Sequence, residues 1–332
     1  MSLLIVIPCL NEERHLPGLL AWLRADPAAA DARIVVADGG STDASAEIVR
    51  RAAEEDARVV LLENPKRLQS AGVNLAVARY GDGAECFVRV DAHAGYPPDF
   101  LSRLLDAYRE SGAQSVVISM RAAGDACFQR AAAAAQNSVL GAGGSAHRKG
   151  GARRWIDHGH HALFNTEAFR AAGGYDESFS HNEDAEFDTR LTARGGKILL
   201  AADVLIDYYP RRTARALARQ YYAYGAGRAR TARKHAAPLK PRQLLPLAVA
   251  PALALACLTP LTLWAAAPAG AWLTLTLGYG AVLGARERNV CAIACGVPAA
   301  IMHAAWSIGF LRQALAGALR PERAAGQAPH SA

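Results

Sequence analysis

From Gln243 to Ala285 the chain carries no charged side chain. A run of that length must either cross a membrane or be hidden inside a protein core, and few folds offer the second. At about 1.5 Å per residue it is far too long for one crossing of a roughly 30 Å hydrocarbon layer. Two helices divided near Ala267-Pro268-Ala269-Gly270 fit better. After the polar turn Arg286-Glu287-Arg288 a third candidate runs from Val290 to Leu311, with His303 alone able to carry a positive charge. Pro246, Pro251, Pro260 and Pro298 would break soluble helices but are tolerated in membrane ones. The alternative is a buried helical subdomain in an alanine-rich protein. Residues 243–312 are thus expected to hold about three transmembrane helices, followed by a disordered tail over 313–332.

The charge distribution agrees. The net charge is +7, yet between Tyr208 and Arg242 there are ten Lys/Arg and no acid, so the remainder of the chain is slightly negative. The basicity is local and abuts the apolar run. That argues against a nucleic-acid partner and places this flank on the cytoplasmic side of the inner (plasma) membrane. Within 211–242, Leu217, Tyr221, Tyr222 and Tyr224 alternate with Arg211, Arg212, Arg215 and Arg219, as in an interfacial helix lying on anionic lipid. The six cysteines form no C-x-x-C pair, and Cys291 and Cys295 read as packing residues of an apolar run. Neither a disulfide framework nor a zinc site is expected, as suits a reducing cytosol.

The first 210 residues read differently. Leu3 to Pro8, Arg33 to Asp38, Val59 to Leu62 and Cys86 to Val90 are short apolar runs, as strands buried on both faces should be. Between them lie helical patterns: Leu16, Leu19, Leu20 and Leu23 behind the acidic opening Asn11-Glu12-Glu13, a helix to about Glu55 that Ser41 or Thr42 would cap, and Ala71 to Ala78. Short links and strict alternation predict a doubly wound α/β domain over 1–210. Further strands are expected at Ser115 to Met120, Ile156 to Phe164, Lys197 to Ala201 and Val204 to Tyr208. Gly141 to Arg154 reads as a Gly-rich basic loop.

The polar residues cluster where such strands end. In open α/β sheets ligands collect at the carboxyl ends of the strands. Phe87-Val88-Arg89-Val90 ends in Asp91-Ala92-His93, and an acid and an imidazole two residues apart would hold a divalent metal and, through it, a diphosphate; the plain alternative is a polar loop capping a strand. Gly39-Gly40-Ser41-Thr42-Asp43 leaves the second strand, and its glycines permit close backbone approach. Ser180 with Glu183 spells a capping box ahead of the acids His181-Asn182-Glu183-Asp184. Three His within Asp157-His158-Gly159-His160-His161 invite a metal reading, but no carboxylate or Cys stands at usual ligand spacing.

Val6-Ile7-Pro8-Cys9-Leu10-Asn11-Glu12-Glu13, Ala37 to Asp43, Val90-Asp91-Ala92-His93 and His181-Asn182-Glu183-Asp184, in that order, resemble the inverting family 2 glycosyltransferases of GT-A fold. Within that family Arg89 to Ala94, Asp157 to Ala162 and Gln220-Tyr221-Tyr222-Ala223-Tyr224-Gly225 are similar to the ExoA-type glucosyltransferases of succinoglycan assembly. The resemblance implies a GT-A-type mixed sheet with a membrane-attached C-terminal region. It also implies transfer of a sugar, glucose in the nearest branch, from a UDP-sugar donor to a lipid-linked saccharide. Pro8, Glu12 and Asp38 would line the nucleotide pocket. Asp91 and His93 would hold Mn2+ or Mg2+ and the diphosphate. Asp184, beside Glu183, would be the general base. Lys66 and Arg67 either add charge near the diphosphate or remain solvated loop cations. His93 stands where the family has a second acid. The Gln-x-x-Arg-Trp motif of processive members is absent, which favours one sugar per encounter. A dolichyl-phosphate-type mannosyl- or glucosyltransferase and a catalytically silent membrane scaffold are the competing readings; intact Asp38, Asp91 and Asp184 argue against the scaffold.

Overall fold

The computed structural model describes residues 2–142 and 151–319. Eight strands form one mixed sheet in the order β3-β2-β1-β4-β7-β5-β8-β6: β1 Leu3–Cys9, β2 Arg33–Asp38, β3 Val59–Glu63, β4 Cys86–Arg89, β5 Ser115–Ala122, β6 Arg154–Ile156, β7 His160–Asn165 and β8 Ile198–Tyr208. The first four are mutually parallel, β7 runs antiparallel between β4 and β5, and β5 pairs parallel with β8. The mixed sheet is therefore as expected. Strand order reverses about β1, which lies between β2 and β4, and the crevice at such a switch point opens at the strands' carboxyl ends.

Helices α1 Leu16–Ala25, α2 Ser45–Glu55 and α4 Phe100–Ser111 cover one face, and α3 Gln69–Tyr80, α7 Thr166–Ala171 and α8 Glu183–Ala193 the other. Leu16, Leu19, Leu20 and Leu23 of α1 are all buried, as their spacing demands. Helix α1 starts after the acids, since Glu12 and Glu13 belong to the turn that precedes it. Strand alternation sorts β4: Cys86 and Val88 enter one core and Phe87 the other. The two expected closing strands are a single strand, β8, whose register with β5 shifts between Ile118 and Ser119.

Helices α5 Cys127–Asn137 and α6 Val139–Ala142 lead to residues 143–150, so most of the expected Gly-rich loop lies outside the described residues. After β8 come α9 Ala214–Lys234, α10 Pro241–Leu247, α11 Val249–Ala256, α12 Ala267–Arg286, α13 Val290–Ile293 and α14 Gly296–Leu319. Among the described residues one helix is long and apolar enough to cross a membrane: Leu263–Arg286, with mean hydropathy 1.2 and only 11% of that window buried. Gln243–Ala256 is apolar but shorter. Leu261, Leu263, Trp264 and Leu275 stand exposed along this region, a larger apolar surface than water tolerates. Helix α14 continues to Leu319, so the tail expected from 313 is helical that far; residues 320–332 lie outside the described residues.

One expectation is refined here and one is corrected. Helix α9, expected to lie at an interface, buries one face against the protein and leaves Arg215 and Arg219 exposed, as are Arg211 and Arg212 just before it. Leu217 is fully buried and packs with Tyr221 against Ala132 and Ala135 of α5 and Met302 of α14. The α9 and α14 backbones touch at Gly225 and Gly309; a Cβ on Gly225 would stand 2.0 Å from the Trp306 carbonyl oxygen, so only glycine fits. Two cations towards its C-terminal end turn inward: Lys234 pairs with Asp176 and Glu186, and Arg230 donates to the Ser178 carbonyl. Secondly, Cys127 and Cys291 form a disulfide that joins α5 to α13, across a sequence separation of 164. Spacing rules find only local pairs, and these two cysteines meet because the C-terminal helices fold back on α5 of the α/β domain.

Candidate active site

The strand ends deliver the site. Arg89, the last residue of β4, is 3% exposed and points to the α8 side of the sheet. A guanidinium buried so completely needs partners. Its Nη1 donates to Asp184 Oδ1 at 2.8 Å and to Tyr175 Oη at 3.0 Å, and its Nε lies 3.7 Å from Asp91 Oδ1. Tyr175 donates in turn to Asp184 Oδ1 at 2.8 Å. Arg89 thus stands between the two acids singled out from the sequence and draws them into one cluster. The only signal for it was a charge inside an otherwise apolar strand.

The Asp91 turn is locked from behind. The Asp91 N–H donates to Tyr96 Oη at 2.8 Å, the Tyr96 hydroxyl donates to the Asp91 carbonyl at 3.1 Å, and the Tyr96 ring stacks on Trp22. Burial works to raise the Asp91 pKa. The Arg89 charge and the hydrogen bond from His160, whose Nε2 lies 3.5 Å from Asp91 Oδ2, outweigh it and hold the carboxyl well below the usual carboxylate range. His93 Nδ1 bonds Glu12 Oε1 at 2.8 Å, and that bond raises the His93 pKa. The histidine run is divided among three anchors: Asp157 pairs with Lys240, His158 Nδ1 bonds the buried Asp188 at 2.7 Å, and His160 faces Asp91.

The nucleotide-side residues lie at the ends of β1 and β2. Pro8 lines the cleft. Asp38, 8% exposed, accepts from the Gly40 and Ser41 N–H groups and from the Ser41 hydroxyl, and so shapes its own turn. The Ser41 hydroxyl is spent there rather than on a helix cap, and α2 begins after Ala44 without a side-chain cap. Lys66 pairs with Glu177, and it is Arg67 that lies over Gly40. The expected capping box is absent: Asn182, in the left-handed region at φ 70°, is the N-cap of α8 and makes no side-chain cap bond. Asn182 instead donates to Thr231 of α9. Helix α8 is held by Glu186, fully buried and paired with Arg190 and Lys234.

Glu183 is the outlier of the acid pair. Burial, and next the charge of Asp184, push its pKa up to about 7. A carboxyl whose folded pKa lies above its ordinary value holds a proton that the unfolded chain has already lost, so it weakens the fold as pH climbs from about 4.5 towards 7. Glu183→Gln should therefore gain melting temperature relative to wild type when the pH is raised from 5 to 8. Equal differences at both ends would refute the raised pKa.

Pro8, Arg89, Asp91, His93, His160, Glu183 and Asp184 line one cleft of about 2030 Å³, with Glu12, Asp38 and Lys66 outside its lining; it continues past Val139, Leu140, Leu245, Trp272 and Met302 into the C-terminal helices. Pockets for a single small ligand run to about 300–1,000 Å³, so two substrates fit here together. Among the described residues no three His, Cys, Asp or Glu side chains are arranged to cage a metal. Asp91 offers one oxygen with imidazoles beside it, a donor set that fits an ion shared with a diphosphate rather than a protein-only cage.

Residues 4–173 match the model of glycosyl transferase family 2. The chain belongs to that family. It is 50% identical over 315 residues, 95% of each chain, to the succinoglycan biosynthesis protein ExoA of Rhizobium meliloti. An undecaprenyl-phosphate mannosyltransferase of Micrococcus luteus is 32% identical over 111 residues, 33% of this chain and 45% of its own. The mannosyltransferase PcManGT of Pyrobaculum calidifontis, solved with GDP-Man and Mn2+, shares the fold, with a TM-score of 0.57 at 19% identity over 94% of this chain and 86% of that one. The protein is thus a glycosyltransferase of GT-A-like fold, similar over almost its whole length to a succinoglycan biosynthesis protein.

Proposed function

We propose that this protein is an inverting glycosyltransferase that moves a hexose such as glucose from a UDP-sugar to a lipid-linked saccharide in exopolysaccharide assembly. The observation that carries this reading is the gradation of one cleft, from acids and histidines at the strand ends to an apolar wall supplied by α10, α12 and α14. A soluble acceptor would have no use for that wall. The polyprenyl-phosphate mannosyltransferase matches only a third of this chain, whereas the succinoglycan biosynthesis protein matches 95% of it, C-terminal helices included. This favours a saccharide-bearing lipid over a bare polyprenyl phosphate.

In the proposed mechanism the donor nucleotide lies at the ends of β1 and β2, beside Pro8, Glu12 and the Asp38 turn, with Arg67 nearer to it than Lys66. Asp91 would hold a divalent ion, Mn2+ or Mg2+, jointly with the donor diphosphate, and His93 reaches the same corner. Such an ion neutralises charge growing on a leaving diphosphate. Inversion needs a base on the opposite side of the sugar, and the Glu183–Asp184 pair supplies it: Asp184 takes the acceptor hydroxyl proton, in an orientation held by Tyr175 and Arg89. The raised pKa of Glu183 supports a second reading in which Glu183 takes that proton. The helix Leu263–Arg286 anchors the protein in the inner membrane, with the catalytic domain in the cytoplasm.

The test is release of nucleoside diphosphate from a panel of UDP- and GDP-sugars, with lipid-linked saccharides and with bare polyprenyl phosphate as acceptors. UDP release that depends on the lipid-linked saccharide is expected. Release only with polyprenyl phosphate would overturn the acceptor assignment, and dependence on a GDP-sugar would overturn the donor.

A further inference from the structure

Two glutamine side chains in the cleft wall carry polar atoms with no protein partner. Gln136 of α5 is 3% exposed, and its buried Oε1 accepts no hydrogen bond. Gln220 of α9 donates from Nε2 to the hydroxyls of Tyr208 and Tyr224, both at 2.9 Å, while its buried Oε1 accepts none. Both residues line the same cleft. Turning the Gln220 amide over would leave its N–H2 without a partner instead of its oxygen, so one polar end is unmatched in either orientation. Buried polar groups are nearly always hydrogen-bonded, and two unmatched amides in one wall call for a ligand.

Their position indicates which ligand. Asn137, next to Gln136, exchanges two hydrogen bonds with the Ala122 backbone, and Ala122 is the register partner of Tyr208, which Gln220 touches. Gln220 therefore bonds the last rung of β5 and β8, and the residue next to Gln136 bonds the same rung. One residue back on β8, Asp207 pairs with Gly95, in the turn that carries Asp91 and His93. On the other side, beyond Gln136, the wall becomes apolar at Val139, Leu140 and Met302. The nucleotide end of the cleft lies across the sheet at β1 and β2, too far along the strand order for these amides to serve the donor base. A lipid diphosphate calls for cations, not for amide oxygens. A ring hydroxyl both donates and accepts, and so satisfies either end of an amide.

We propose that Gln136 and Gln220 form a hydroxyl-binding subsite for the saccharide of the acceptor, between the acid cluster and the apolar wall. The proposal rests on the lipid-linked saccharide reading above. It makes these two residues determinants of acceptor affinity, not of chemistry.

The test uses the full-length protein in detergent, with Gln136→Met and Gln220→Met, and decyl diphosphate-linked hexoses and disaccharides as probes. Each variant should raise the acceptor KM about three- to tenfold, the change expected of one neutral hydrogen bond. Turnover at saturating acceptor and the KM of the donor should stay within about twofold of wild type. Because Gln136→Met removes an amide whose oxygen is unmatched in the free protein, its melting temperature should hold or rise. A clear fall for Gln136→Met would mean that the amide is already satisfied, and would overturn the proposal. So would an unchanged acceptor KM in both variants while the wild type transfers sugar normally. Failure of the wild type to use any of these probes, with transfer to decyl phosphate instead, would instead defeat the underlying reading, and the subsite with it.

Discussion

Replacing Asp184 by Asn should lower turnover by about two to four orders of magnitude, the loss expected when a general base is removed. Donor affinity should change little, because a base acts in the transition state and not in binding the ground state. The substitution is mild for the structure. The introduced amide would still accept from Arg89 and from Tyr175 through its carbonyl oxygen, so the two contacts at 2.8 Å are retained in kind. Calorimetry of UDP-sugar binding beside steady-state rates separates the two effects. A variant that keeps half of the wild-type rate removes Asp184 from the role. The companion Glu183→Gln makes the test two-sided. If the large loss follows Glu183 and spares Asp184, then the carboxyl raised to about 7 is the proton acceptor and Asp184 serves Arg89. That outcome is physically reasonable, since a base works best with a pKa near the working pH and an Arg-paired carboxylate is a weak one.

Arg89→Met should be the most destabilising single change in the site. Arg89 is 3% exposed and faces Asp184, Tyr175 and Asp91. A methionine fills similar volume but leaves two carboxylates without their shared counter-charge. Breaking a buried pair from one side costs about 3–5 kcal/mol, more than the pair itself contributes. For a protein of this size the melting temperature should fall on the order of 10 °C. Arg89→Lys should recover only part of it, because a point charge cannot reach Asp184 and Tyr175 as a planar guanidinium does. The double variant Arg89→Met with Asp184→Asn should regain part of the loss, since it removes an orphaned charge. If Arg89→Met melts within about 2 °C of wild type, the acids are hydrated and the cluster is not a buried ion network.

Much of the scaffold was legible because its signals are local. Strand β2 coincides with the apolar run Arg33 to Asp38, and α1 buries the leucines that its period selects. Parallel strands buried on both faces read as unbroken apolar runs, and the residue that ends the run is the one delivered to the crevice. Asp38 and Asp91 were singled out for that reason; Asp91 lines the cleft and Asp38 is bonded into its own turn. The apolar character of Leu263–Arg286 was legible on composition alone.

What the sequence left open depends on residues far apart in the chain. Nothing near Arg89 announces that it will bond Asp184, 95 positions later. Nothing near Cys127 points to Cys291. The arginines and tyrosines of α9 matched a helix on lipid equally well, because amphipathicity states that a face will be buried and not against what. The fold lays α14 and α5 on one such face and spends Arg230 and Lys234 on the segment that carries the acids, while Arg211, Arg212, Arg215 and Arg219 stay exposed. The same holds for Gln136 and Gln220. Each is an unremarkable polar residue in its own helix. They share one wall because α5 and α9 are both tied to the last rung of β5 and β8, and the oxygens of both are left without a protein partner. Local pattern determined which residues form the walls of this cleft, and long-range packing alone decided which of their polar groups remain for a substrate.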